Sequence, residues 1–89
     1  MTIEETLADR EKTHGDFGDV SAIAQAIKQA MREPAKRLDP DEREALEMIA
    51  TKMARILCGK ARASVDSYLD IEGYARLARE RIGKDDTND

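Results

Sequence analysis

Apolar residues recur at three- and four-residue spacing along most of this chain, and nowhere do they alternate with polar ones over a strand's length. That spacing predicts an all-α domain, and the breakers between the runs predict about four helices. Thr2-Ile3-Glu4-Glu5 reads as an N-cap with a capping-box glutamate, opening a short helix through about Thr13. Gly15 and Gly18 then interrupt it. From about Asp19 to Arg32, Val20, Ile23, Ala24, Ile27 and Met31 form one stripe, and Pro34 follows just past the expected helix end. Glu33 to Asp39 is a polar connection. Asp39-Pro40-Asp41-Glu42 is a strong start signal, with an Asp cap, a proline at the first helical position and acids in the first turn. This third helix should run to Leu57 or Cys58, bearing Ala45, Leu46, Ile49, Met53, Ile56 and Leu57 on one face, with Gly59 after it. Ser64 can cap a fourth helix with Tyr68, Ile71, Ala75, Ala78 and Ile82 inward and Gly83 at its end. Residues 1–83 then form one helical domain, and residues 84–89 a frayed polar tail. The expected architecture is a C-terminal hairpin of residues 40–58 and 65–82, with the 19–32 helix packed across it.

Phe17, Tyr68 and Tyr74 are the only aromatic residues among 89. Core volume must come from aliphatic residues and many alanines, which bury little area each. So short a chain with so thin a core predicts a homo-oligomer. The formal net charge of −4, with 38% charged residues, argues against general nucleic-acid binding, which calls for a basic face. Local cations could still hold a single nucleotide. Cys58 is alone, which excludes an intrachain disulfide and suits a reducing cytoplasm. No apolar run is long enough to span a bilayer, so neither a membrane nor a secretory leader is expected.

Two polar stripes border the predicted hairpin. Glu44, Met48, Lys52 and Arg55 share one side of the third helix, and Asp66, Asp70, Tyr74 and Arg81 share one side of the fourth. In an antiparallel hairpin Lys52 and Arg55 would meet Asp66 and Asp70 at a half-buried boundary. This is either an ion-pair network or a polar pocket. In the pocket reading, two carboxylates at i, i+4 could share Mg²⁺ while Lys52 or Arg55 faces phosphate oxygens. One histidine and one cysteine cannot make a zinc set, and no phosphate-cradling glycine loop is present. The stretch THGDFGD, residues 13–19, allows two readings. It can be a joint, with His14 ending a helix, Gly15 in a left-handed cap, Asp16 making a local turn bond and Phe17 plugging the core. It can also hold His14 and Asp16 over the pocket edge.

The blocks DREKTHGDF, EREALEMIATKMARILCGK and DSYLDIEGYARLA, spread over residues 5–80, resemble a family of small phage and prophage proteins of unknown function. That family resembles the phage nucleotide-modification-associated domains and, more distantly, the MazG-like all-α nucleoside triphosphate pyrophosphohydrolases. The resemblance implies a nucleotide or phosphate ligand near His14, Asp16, Lys52, Arg55 and Tyr74. It also implies Mg²⁺ on Asp66, Asp70, Glu44 and Glu47. The pyrophosphohydrolases carry Glu-Glu-x-x-Glu on one helix and Glu-x-x-Asp on the next. Here Glu44 and Glu47 supply only Glu-x-x-Glu, and Asp66 and Asp70 stand four apart. Three functions follow as alternatives: a nucleotide-binding protein, a Mg²⁺-dependent pyrophosphohydrolase, or a non-catalytic interaction or anti-defence protein.

Overall fold

The computed structural model describes residues 2–59 and 64–87. Four α-helices follow in order: α1 (Ile3–His14), α2 (Phe17–Met31), α3 (Pro40–Cys58) and α4 (Val65–Thr87), with a 3-10 turn at Pro34–Arg37 between α2 and α3. No strand occurs among the described residues. The chain is a small all-α bundle, and no described helix is long and apolar enough to cross a membrane.

The helix starts follow the expected chemistry in part. The Thr2 hydroxyl oxygen accepts the Glu5 amide hydrogen at 3.1 Å and donates to the Glu5 carboxylate at 3.2 Å. Asp16 caps α2 by accepting the Asp19 amide at 3.2 Å. With that cap, α2 begins at Phe17 rather than at Asp19. The Phe17 ring is 83% exposed and does not plug the core. It sits in the first turn, where no earlier turn of its own helix can cover it and α1 packs too lightly to do so. Pro40 opens α3, but the Asp39 side chain makes no capping bond; instead the Asp41 carboxylate accepts the Glu42 amide at 2.9 Å. Gly59 ends α3 at φ −93°, which any residue can adopt, so its left-handed option is unused. Gly83 does not stop α4, which continues to Thr87, so residues 84–87 are helical; Asn88 and Asp89 lie outside the described residues.

The predicted hairpin forms. Lys52 Nζ lies 3.0 Å from Asp70 Oδ2, and Arg81 Nε donates to Asp41 Oδ2 at 2.8 Å. Both pairs obey one antiparallel register. Arg81 holds the Asp41 carboxyl below the usual carboxylate range, mainly through that hydrogen bond. An exposed pair of this kind adds little stability, but it marks how the two helices align. The packed stripe of α4 differs from the expected one: Ser64, Ser67, Ile71, Tyr74 and Ala78 are buried or half-buried, whereas Tyr68, Ala75 and Ile82 are exposed. The small hydroxyl residues let α4 approach α3 more closely than a stripe led by Tyr68 would.

α3 is the central helix, with α2 on one side and α4 on the other, while α1 touches α2 and α3 only lightly. Val20, Ala24 and Ala54 make the buried cluster between α2 and α3, with Ile23 and Cys58 packed against it. Among the described residues no large side chain is fully buried. The Cα radius of gyration is 15.4 Å, against about 12 Å for a compact domain of this length.

An open layer of this kind has two broad faces. Helical spacing puts Thr51, Lys52 and Arg55 on one side of α3, the side where Lys52 and Asp41 meet α4. The opposite side carries Leu46, Met53 and Leu57, beside the α4 flank that bears Tyr68, Ala75 and Ile82. All six are exposed. The face of α3 expected to be core is therefore split, because α2 and α4 take its two edges and leave its middle uncovered.

Candidate functional site

The THGDFGD turn is built around one glycine. Gly15 has φ 90° and ψ −178°, a combination essentially restricted to glycine. A Cβ placed there would lie 2.8 Å from the Cys58 Cβ and closer still to the Cys58 carbonyl oxygen. The turn thus presses directly on the C-terminal end of α3, and it brings His14 to the residues of α3.

Beside the turn is a cleft of about 600 Å³ between α1 and α2, floored by α3. Leu7, Arg10, Glu11 and His14 of α1 line it, with Asp16, Phe17, Val20, Ala24 and Lys28 from the α2 side and Thr51 and Arg55 from α3. Its size suits a small-molecule ligand, since such pockets run about 300–1,000 Å³. Arg10, Lys28 and Arg55 have no ion-pair partner among the described residues. An aliphatic and aromatic wall therefore stands next to unpaired cations.

The half-buried His14 imidazole registers that field. Burial lowers its pKa below the ordinary 6.5, and the cations Arg55, Lys52 and Arg10 lower it further, with only Asp66 opposing. The unfolded chain therefore takes up this proton more readily than the folded one. His14 costs no stability above pH 6.5, and stability is lost as the pH falls from there toward the folded-state value. A proton NMR titration of this single imidazole should give a midpoint below 6.5 that rises in Arg55→Gln; a midpoint at or above 6.5 would contradict the arrangement.

Of the residues expected from sequence, His14, Asp16 and Arg55 line the cleft. Asp16 is already engaged as the α2 cap. Lys52 is bound to Asp70 and only 12% of its side chain is exposed, so it contributes to the cleft through its charge alone. Tyr74 is half-buried on the packed side of α4, Glu44 is exposed, and Glu47 lines a different cleft. No group of three or more His, Cys, Asp or Glu residues is placed to hold a metal among the described residues. Asp70 is paired with Lys52, and Asp66 is exposed in the first turn of α4. Arg10, Phe17 and Lys28 were not anticipated as site residues. Arg10 stands four before His14 on α1, and Phe17, Ser21, Ala24 and Lys28 follow at four, three and four on α2, so helical spacing carried the signal.

A family model described as "Domain of unknown function (DUF6378)" matches residues 2–82, and the chain belongs to that family. No curated protein and no solved structure matches it.

Proposed function

We propose that this DUF6378 chain is a nucleotide-binding protein of the phage or prophage kind. The ligand's base would stack on Phe17, and its phosphates would meet Arg10, Arg55 and Lys28. The observation that carries this reading is the pairing of an 83%-exposed aromatic ring with cations that lack acid partners among the described residues, inside one cleft of a chain with net charge −4. Stacking is tolerant of base identity, and charge-assisted contacts hold phosphate oxygens. The resemblance to phage nucleotide-handling proteins points the same way.

A thermal-shift screen of nucleotides, with and without Mg²⁺, tests the proposal. A saturable shift without turnover is expected. Phe17→Ala should change the melting temperature of the free chain little, because the ring is exposed, yet weaken binding about tenfold or more. Bound phosphates should also raise the His14 pKa, so binding tightens as the pH falls through the region below 6.5. Release of pyrophosphate and a nucleoside monophosphate, only with Mg²⁺, would replace this reading with pyrophosphohydrolysis. No response to any nucleotide would leave an interaction protein.

The chain also assembles with itself in this proposal, through the apolar face of α3 and α4. Leu46, Met53 and Leu57 recur at helical spacing without an intervening charge on their side, and all three stay exposed among the described residues. A second copy supplies a matching surface, because an isologous contact pairs the face with itself.

A further inference from the structure

At the far end of α2 lies a second cleft, of about 370 Å³, bounded by the last turns of α2, the 3-10 turn and α3. Lys28, Arg32, Lys36 and Arg43 line it, and Glu47 is the single carboxylate among its lining residues. So many cations together, in a chain whose net charge is negative, repel one another unless an anion joins them.

Each cation is held differently. Arg43 is half-buried and fixed: its Nε donates to the Ala35 carbonyl at 3.2 Å and its Nη2 to the Leu38 carbonyl at 3.1 Å. Those bonds tie the 3-10 turn to α3 and leave the remaining guanidinium N–H donors unused by them. Lys36 is paired with Glu33 at 2.9 Å, on the exposed rim. Lys28 and Arg32 have no ion-pair partner among the described residues. The half-buried Lys28 is screened less by water than a surface lysine, so its charge acts more strongly on whatever enters.

We infer that this cleft is a phosphate-binding site, with Arg43 as the pre-positioned fork, Lys28 as the point charge from α2 and Arg32 closing over the anion. The donor set matches phosphate oxygens, which accept several N–H bonds at once and prefer a fixed guanidinium. Gln25 and Lys28 line this cleft and the first one alike, so the two adjoin. The phosphate can therefore be a free ion or the far phosphate of a nucleotide whose base lies on Phe17. The free-ion form does not depend on the nucleotide proposal; the second form rests on it.

The experiment is titration of the full chain with inorganic pyrophosphate and, separately, with a nucleoside triphosphate, following the arginine Nε–Hε signals by NMR. Saturable movement of the Arg43 and Arg32 signals is expected with one or both probes. The Lys28→Gln, Arg32→Gln double variant, which leaves the Arg43 bonds in place, should weaken that response about tenfold or more. Phe17→Ala separates the sources: the pyrophosphate response persists if the ion binds freely, and the triphosphate response at Arg43 is lost if the site takes a nucleotide tail. If neither probe moves Arg43 and Arg32, or if the double variant binds both as tightly as the parent, the inference is overturned. A pyrophosphate response that persists while no nucleotide engages Phe17 would sustain this site and end the nucleotide reading alone.

Discussion

Replacing Gly15 by alanine should remove about 2–6 kcal/mol of folding stability, the sum of a forbidden backbone conformation and a steric overlap. The backbone contribution comes from φ 90° with ψ −178°, and the overlap comes from the Cys58 backbone, which cannot swing aside as a flexible side chain would. For a domain of this size that loss lowers the melting temperature by roughly 10 °C or more. Circular dichroism on heating measures it directly. Gly73→Ala is the control, because Gly73 lies within α4 with open space around the position a Cβ would occupy. That change should stabilise by about 0.5–1 kcal/mol. A Gly15→Ala chain melting within a degree or two of the parent would show that the turn does not press on α3 as described.

The second large effect concerns assembly. Met53→Lys combined with Leu57→Lys should convert the proposed oligomer to monomer in sedimentation velocity at micromolar concentration, while the helical signal stays unchanged. Both side chains are exposed within one chain, Leu57 at 66%, so neither is needed for its own core. Burying each against a second copy contributes about 1.5–3 kcal/mol, and the interface holds each residue twice. Dissociation should therefore strengthen on the order of a thousandfold or more. A parent chain that already sediments as a monomer at that concentration would show that this face is not covered by a second copy.

The helices themselves were legible because their signals are local. Thr2 caps an amide only three residues on, Asp16 makes the expected local bond although it caps a helix that starts two residues earlier than expected, and Pro40 suits the first turn by its fixed φ. Lys52 meeting Asp70 was also legible, since one antiparallel register follows once two stripes and a short connection are recognised. The reach of the site toward His14 was partly so, because the turn residues stand out against helix-forming neighbours.

What remained hidden depends on which side of each helix finds a neighbour. Apolar spacing marks a stripe about a third of the way around a helix, but it cannot say whether another element covers the stripe or leaves it bare. Hence Phe17 was expected inside and stands on a cleft rim, and Tyr68 and Ile82 yielded the packed stripe of α4 to Ser64, Ser67 and Tyr74. The cation clusters were invisible for the same reason: Arg10 and Arg55 are 45 positions apart, as numbered in the chain, and only packing of α1 and α2 over α3 brings them to one cleft. By itself the amino-acid sequence determined four helices and the Thr2 cap, because those are decided within a turn or two of backbone. The tertiary structure alone decided which charges lost their partners and which apolar side chains stayed in water, because burial is a property of pairs of surfaces and not of any one stretch.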